Sequence, residues 1–197
     1  MKTGRDLAHA VEILKSGGVI AYPTETVYGI GAVATDENAV RRVFEVKKRP
    51  ISQPLSIAVS SIDMMDGMAK IECIDFIKKF LPGPVTVILK KKKTLPDIVT
   101  AGSKYVGIRY PDHHLALDLI SQTGPIISTS ANLHGEKDPV TAEEVSVDVD
   151  YILDGGRCRY AGSSTIVDLH EYTVVRKGAM YEEVKRYMYG CGCATEE

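Results

Sequence analysis

Apolar and polar residues follow two different periods along this chain. Over residues 5–16 the apolar positions recur every three or four residues, which predicts an amphipathic helix. Thr3 and Asp6 resemble a capping box at its start, and Gly17-Gly18 ends it. The same criteria predict further helices over 36–48, 73–81, 113–120 and 178–189.

Short apolar runs bounded by proline, glycine or charged residues predict the strands of a sheet. These runs are 19–22, 55–59, 85–89, 105–110, 125–129, 151–154, 164–169 and 172–176. Only His170-Glu171 separates the last two, which favours an antiparallel pair. Strands interleaved with helices predict an α/β fold. We expect one domain over 1–190, with a large twisted mixed sheet and flanking helices, followed by a short tail over 191–197.

Composition is that of an ordinary globular domain, with 44% hydrophobic and 25% charged residues in 197. No apolar run approaches the length of a membrane span, and the first residues lack the apolar centre of a signal peptide. We therefore expect a cytoplasmic protein that does not contact a membrane. The net charge of −2 argues against a protein that coats nucleic acid through bulk electrostatics, so any basic site must be local.

The four cysteines are Cys73, Cys158, Cys191 and Cys193. In a cytosolic chain they should be reduced. The C-x-C pair near the C-terminus has no matching second pair and no histidine beside it, so we interpret it as free thiols in a tail rather than as a metal site.

Three consecutive cations, Lys47, Lys48 and Arg49, stand directly before Pro50. Cations in the last turn of a helix are favoured by the helix dipole, which explains them without any function. Alternatively, if the helix ends at Lys47, both Lys47 and Arg49 can point into one concavity. An arginine fork and a lysine point charge would then hold an anion there.

Two further stretches place small polar residues at predicted strand ends. The segment Y-P-T-E-T-V-Y-G-I-G (22–31) is either a strand connector or part of a site, and it is neither a P-loop nor a dinucleotide fingerprint. The segment S-T-S-A-N (128–132) is either a plain turn or a ligand site, since ligands of open α/β sheets collect at strand ends.

Other polar groups carry weaker signals. His113-His114 fits a solvated or capping pair better than a metal or base site. The run Lys90 to Lys93 fits an exposed loop, with a phosphate or tRNA contact as the alternative.

Taken in order, several motifs resemble one family. They are P-T-E-T-V-Y-G, K-x-R-P, P-G-P-V-T-V-I-L, L-P-D-I-V-T-A-G-S, V-G-I-R-Y-P, S-T-S-A-N, S-T-I-V-D-L and V-R-K-G. Together they resemble the YrdC/Sua5 family of threonylcarbamoyl-AMP synthases over about residues 5 to 190. The resemblance implies a YrdC/RibB-like fold of the short, single-domain form.

The resemblance also implies a reaction: L-threonine, bicarbonate and ATP, with Mg²⁺, would give threonylcarbamoyl-AMP and pyrophosphate for the modification of tRNA. It assigns catalysis to Lys47 and Arg49. It assigns ATP binding to Lys47, Arg49, Gln53, Tyr105, Asn132, Val140 and Arg176. It assigns threonine binding to Thr26, Arg109, Ser130 and Ser164. Partners could include tRNA or the complex that transfers the product to it.

The chain departs from the family pattern after two of these motifs. After K-x-R-P, Gln53 replaces an asparagine and Ala58 replaces a histidine that would approach threonine. After S-T-S-A-N, where the family continues x-S-G, this chain has Leu133-His134-Gly135. Two rival functions are an RNA-binding module of the same fold and an enzyme that forms a related carbamoyl-adenylate. The RNA-binding function would use the cations 47–49, 90–93, Arg157 and Arg159 as phosphate contacts.

Overall fold

The computed structural model describes residues 2–133 and 135–190, which form one α/β domain. The α-helices are α1 (Leu7–Lys15), α2 (Glu37–Lys47), α3 (Ile62–Met68), α4 (Ile74–Phe80), α5 (His114–Thr123) and α6 (Tyr181–Gly190). The strands are β1 (Lys2–Gly4), β2 (Ile20–Tyr22), β3 (Gly29–Gly31), β4 (Ser56–Ala58), β5 (Val85–Lys90), β6 (Tyr105–Arg109), β7 (Ile126–Ser130), β8 (Tyr151–Leu153), β9 (Thr165–Asp168) and β10 (Thr173–Arg176).

The strands form one mixed sheet in the order β1-β8-β2-β3-β7-β4-β6-β5-β9-β10. Four neighbouring pairs are parallel and five are antiparallel, and β9 and β10 form the expected antiparallel pair. The prediction of a single α/β domain with a large mixed sheet is confirmed.

The predicted helices and strands are all present, with ends shifted by up to three residues. Three of these α-helices and strands were not predicted from the sequence: β1, β3 and α3. The capping box at the first helix is wrong, because Thr3 lies in β1 and pairs with Ile152. Asp6 is itself the N-cap of α1, and its carboxylate accepts a hydrogen bond from the His9 N–H at 3.0 Å.

Two hydrophobic clusters lie on opposite faces of the sheet. Helices α2, α3, α4 and α6 bury their apolar residues on one face, where Phe44, Ile57 and Ile108 belong to the larger cluster. On the other face α1 and α5 pack together over Tyr22 and Ile126. Because side chains alternate along a strand, each strand of the sheet contributes to both faces.

The face that carries α1 and α5 is covered by helices over only part of its width. Buried residues of β2, β4, β7 and β8 lie under the two helices. On β5, β6 and β9 the residues of this face instead line an open cavity, among them Thr86, Gly107, Arg109 and Ile166. The strand alternation thus produces a floor for a ligand site beside a conventional core.

Within the described ranges, no helix is both long and apolar enough to cross a membrane. The predicted tail with Cys191 and Cys193 lies outside the described residues. Among the described cysteines, Cys158 is buried and Cys73 is partly buried, and both are free thiols.

Candidate active site

A cavity of about 680 Å³ lies over the uncovered part of the sheet, a size typical of small-molecule sites. Its floor comes from the strands just described, and its walls come from the segment 24–29, the end of α2 and the loops after β7 and before β9. Hydroxyl groups dominate the lining, which includes Thr24, Thr26, Ser56, Thr86, Ser103, Thr129, Ser128, Ser130, Ser163 and Ser164.

The end of α2 explains why the two cations of K-x-R share this cavity. The helix ends at Lys47, and Lys48 adopts the left-handed conformation with φ 52°. The Arg49 N–H then bonds to Phe44 O at 3.0 Å and the Lys48 N–H to Glu45 O at 3.1 Å, which is a Schellman motif. Lys48 is exposed, whereas Lys47 and Arg49 on either side of it both line the cavity. The interpretation of an anion-facing pair is therefore favoured over a solvated helix end.

Lys47 is held by oxygen atoms of the S-T-S-A-N turn. Its side chain is buried, and Nζ donates to Ser130 O at 2.6 Å, Asn132 O at 2.9 Å and Asn132 Oδ1 at 2.9 Å. These three acceptors match the three N–H groups of an ammonium ion. Burial, and after it the nearby charge of Arg49, lower the pKa of Lys47 to about 8, while the charge of Asp138 opposes both effects.

Arg49 is held more loosely than Lys47. Its Nη2 donates to Pro54 O at 3.0 Å and its Nε to Gln53 O at 3.4 Å. Both acceptors are backbone carbonyl oxygens of the proline-containing segment that follows the helix. Burial lowers the pKa of Arg49, which nevertheless stays charged as arginines do.

The V-R-K-G and S-T-I-V-D-L motifs meet at another wall of the cavity. Arg176 donates to Ser164 O through Nε at 3.1 Å and through Nη2 at 2.9 Å, and Nη2 also donates to Ser164 Oγ at 3.0 Å. A third group, the Thr86 hydroxyl, lies 2.7 Å from Ser164 Oγ. Gly178 allows the two motifs to approach this closely, since a Cβ at this position would lie 2.4 Å from Ser163 O.

Arg109 enters the floor from β6 and forms a buried ion pair with Glu25. The Arg109 Nη2–Glu25 Oε1 distance is 2.5 Å, and the two side chains are 5% and 2% exposed. Thr26 Oγ1 lies 3.5 Å from the same Nη2. Among the described residues, Arg109 Nη1 and Glu25 Oε2 are buried without a hydrogen-bond partner.

The cavity therefore has two electrostatic regions. Lys47, Arg49 and Arg176 make no ion pair with any carboxylate in the described part of the chain. Burial lowers the pKa of Arg176, as it does that of Lys47, and the charge of Asp138 opposes the lowering at both residues. Asp138 also lines this region and accepts a hydrogen bond from Ser163 Oγ at 2.9 Å. The Arg109–Glu25 pair, by contrast, is neutral as a unit.

Nine of the eleven residues that the sequence assigns to the site line this cavity. They are Thr26, Lys47, Arg49, Tyr105, Arg109, Ser130, Asn132, Ser164 and Arg176. Gln53 and Val140 lie outside its lining. The Val140 N–H donates to Glu144 Oε2 at 2.8 Å and its carbonyl accepts from the Cys158 N–H at 2.9 Å, so both of its backbone groups have partners within the chain. The roles assigned to all eleven stay predictions.

Sequence reasoning gave no role to Glu25, Ser56, Thr86, Ser128 or Asp138. A signal existed for Ser128, because alternation along β7 places it on the same face as Ser130. Thr86 and Glu25 lie inside motifs that were recognised as whole stretches. Nothing in the local sequence pairs Glu25 with a residue 84 positions away.

The cavity lining does not include Gln53 and Ala58, which depart from the family pattern, or the His113-His114 pair. Ala58 is fully buried in the cluster beneath α1 and α5. His113 and His114 stack with ring centroids 5.2 Å apart, and burial lowers the pKa of His113. In the described ranges no group of three or more histidine, cysteine or acidic residues could hold a metal ion.

Comparison with known proteins agrees with the resemblance. The Sua5–YciO–YrdC family model, described as telomere recombination, matches residues 12–178. A threonylcarbamoyl-AMP synthase of Pyrococcus abyssi is 39% identical over 188 residues, covering 90% of this chain and 55% of the relative. The Bacillus subtilis threonylcarbamoyl-AMP synthase is 41% identical over 170 residues, covering 82% of this chain and 49% of the relative.

A solved structure is similar over nearly the whole chain. The crystal structure of P. abyssi Sua5 complexed with L-threonine superposes with a TM-score of 0.88 at 36% identity, covering 96% of this chain and 60% of that one. The chain thus spans about half the length of these two curated relatives. The match of the family model over most of the chain, together with these identities, shows that the chain belongs to the YrdC/Sua5 family.

Proposed function

We propose that this chain is a threonylcarbamoyl-AMP synthase, a nucleotidyltransferase that joins L-threonine, bicarbonate and the AMP part of ATP. Membership of the family and the names of the two synthases above support it. The single observation that carries it is the division of the cavity into three cations without ion-pair partners and a neutral Arg109–Glu25 pair.

The unpaired cations suit a polyphosphate. Lys47, Arg49 and Arg176 give a fixed positive field where a triphosphate must give up pyrophosphate. Preorganised charge of this kind stabilises charge that develops in a transition state. Arg49 has free N–H groups for phosphate oxygens, and its backbone contacts limit its movement.

The neutral pair suits an amino acid. The Arg109 guanidinium belongs to the cavity lining and can donate to a carboxylate, and the Thr24, Thr26 and Ser130 hydroxyls of the same lining can bond a hydroxyl side chain. A site that bonds a substrate hydroxyl discriminates strongly against an analogue without one. L-Threonine was bound to the P. abyssi relative, which supports this assignment.

The chemistry needs no covalent enzyme intermediate. The threonine amine attacks the carbon of bicarbonate and water leaves, which gives a carbamate. A carbamate oxygen then attacks the α-phosphorus of ATP, and the bond to the β-phosphate oxygen breaks to release pyrophosphate. Holding three reactants together supplies much of the rate of such a reaction.

Mg²⁺ is proposed to enter with ATP. The ion commonly keeps several waters and is held by substrate phosphates with one or two carboxylates. Asp138 fits this requirement, because it lines the region of the cavity that contains Lys47, Arg49 and Arg176. When bound, the ion would neutralise phosphate charge. The product is proposed to be consumed in the cytoplasm by the machinery that modifies tRNA.

Pyrophosphate release tests the proposal. The chain is incubated with ATP and Mg²⁺, with and without L-threonine and bicarbonate, and serine and valine replace threonine as controls. We expect release that requires both threonine and bicarbonate. ATP turnover that no amino acid stimulates would leave the nucleotide site but contradict the substrate, and failure to bind ATP would contradict the enzyme.

A further inference from the structure

Among the described residues, Arg109 is the only cation of the cavity wall that makes an ion pair with a carboxylate. Its partner Glu25 is 2% exposed and does not line the cavity. A buried carboxylate needs a compensating charge or hydrogen bonds. Glu25 therefore lies one layer behind the site and acts on it through Arg109.

Both partners are fixed by rigid elements. Arg109 is part of β6, where it pairs with Thr86 and Ala58 on the neighbouring strands. Glu25 lies in a turn closed by Thr24, whose hydroxyl donates to Val27 O at 2.6 Å. The Glu25 carbonyl also accepts from the Tyr160 N–H at 2.9 Å, so its backbone is anchored as well.

The ion pair uses only part of each group. Glu25 Oε1 accepts a hydrogen bond from Arg109 Nη2, whereas Arg109 Nη1 is buried and has no hydrogen-bond partner within the described residues. An arginine presents its donors as a planar fork, so fixing one nitrogen also sets the direction of the other. An unpaired buried donor is costly unless a ligand completes it.

We propose that Glu25 is a positioning residue for the amino-acid substrate: it holds the Arg109 guanidinium in the orientation in which it meets the substrate carboxylate. This inference rests on the proposed function and adds a residue to it. Because the pair is neutral, it also offers no free positive charge to the phosphates of ATP, which directs the two substrates to different regions of the cavity.

A double-mutant cycle of neutral variants tests the inference. The four proteins are the unsubstituted chain, Glu25→Gln, Arg109→Gln and the double variant, with folding checked by cooperative thermal unfolding. Calorimetry measures the affinity of each for L-threonine and, separately, for ATP. Asp150→Asn is the control. Asp150 lies outside the cavity lining and accepts hydrogen bonds from Arg42 and the Val19 N–H, so this substitution removes a carboxylate charge from the protein without changing the site.

We expect Glu25→Gln to weaken L-threonine binding about tenfold or more, as disruption of a buried charge pair does, and not to weaken ATP binding, because the charge of Arg109 is then no longer compensated. In the Arg109→Gln background the same change should have little further effect, because Glu25 acts through Arg109. Asp150→Asn should leave both affinities unchanged. If Glu25→Gln does not fold, Glu25→Asp, which keeps the charge and retracts it, should show the same selective loss.

Three results would overturn the inference. Unchanged threonine affinity in folded Glu25→Gln would show that the ion pair only ties the turn to the sheet. Additive effects of the two substitutions, or equal losses of threonine and ATP affinity, would show the same. If the unsubstituted chain does not bind L-threonine, the proposed function fails and the inference fails with it, which separates the two cases.

Discussion

Lys47 and Arg49 have the same charge and lie two residues apart, but the structure holds them in different ways. All three N–H groups of the Lys47 ammonium bond to oxygens of residues 130–132. Arg49 uses two nitrogens on backbone carbonyls and keeps Nη1 free of hydrogen bonds within the described residues. Lys47 therefore contributes charge and holds the S-T-S-A-N turn, whereas Arg49 can contact phosphate directly.

The pKa of Lys47 predicts that the affinity for ATP depends on pH. Burial lowers this pKa to about 8 in the free protein, so the side chain is charged below that pH and loses its proton as pH rises through it. We expect ATP binding, measured by calorimetry without threonine, to weaken progressively from about pH 8 upward. Lysines at their ordinary pKa titrate only above about pH 10.

Two matched variants identify the group responsible. Lys47→Met should bind ATP weakly at every pH and show no decline above about pH 8, because the titrating group is gone. Arg49→Met should also bind weakly but keep the decline, since arginine stays charged throughout this range. A decline that persists in Lys47→Met would assign the titration to another residue.

At the scale of elements, the end of α2 determines the site more than any single side chain. The Schellman motif turns the chain at Lys48 and brings the residues on both sides of it to the cavity. Asp36 fixes the other end of this helix, where its carboxylate accepts from the Asn38 and Ala39 N–H groups at 2.9 and 3.2 Å. Both ends of α2 are therefore specified by local hydrogen bonds.

Substitutions at Lys48 test this helix end. A left-handed conformation costs a residue with a Cβ about 1–2 kcal/mol, and more for a β-branched one. We expect Lys48→Gly to raise the free energy of unfolding by up to about 1 kcal/mol, because glycine avoids that cost but loses more chain entropy. Lys48→Val should lower it by about 1 kcal/mol or more.

Lys48→Ala is the control, since it removes the charge and keeps a Cβ in the left-handed conformation. Its stability, measured by denaturant unfolding, should stay close to that of the unsubstituted chain. If glycine and valine had equal effects, the turn at Lys48 would not be under backbone constraint.

The elements that sequence reasoning found and missed differ in a physical way. Helix α2 and strands β5 and β6 have a strong period or a long apolar run, and they were placed to within about two residues. Strands β1 and β3 read Lys-Thr-Gly and Gly-Ile-Gly, so neither contains an apolar run that would mark it, unlike the equally short β2, β4 and β8. Strand β1 exists because it pairs with β8, about 150 positions away, and β3 because Gly29 and Gly31 let the Tyr22 ring lie against the backbone.

The candidate site shows the same difference between features marked by local sequence and features that depend on distant contacts. Motifs such as K-x-R and S-T-S-A-N were recognisable as stretches, and most of their assigned residues line the cavity. The pairing of Glu25 with Arg109 and of Thr86 with Ser164 depends on strand order in the sheet, which local sequence does not encode. Val140 was assigned from the resemblance alone, and its backbone groups bond within the chain.

At the scale of the whole molecule, the distribution of charge favours the proposed enzyme over an RNA-binding module. Of the nine cations that such a module would use, three form ion pairs on the surface: Lys91 with Asp97, Lys92 with Asp66, and Arg159 with Asp112. Lys47 and Arg49 line the cavity rather than an outer surface. The chain as a whole carries a net charge of −2. The net acidic charge and the enclosure of Lys47 and Arg49 therefore disfavour RNA binding through bulk electrostatics.

We accordingly expect tRNA to bind more weakly than about 10 μM at about 0.15 M salt, measured by fluorescence anisotropy, because non-specific affinity depends on phosphate contacts made by free cations. The double variant Asp66→Asn/Asp97→Asn frees Lys91 and Lys92 and serves as the positive control, with tighter and more salt-dependent binding. Submicromolar binding by the unsubstituted chain, with a steep salt dependence, would contradict the prediction. The ion pairs on the lysine run would then have to open in the complex, and RNA contact would become part of this protein's function.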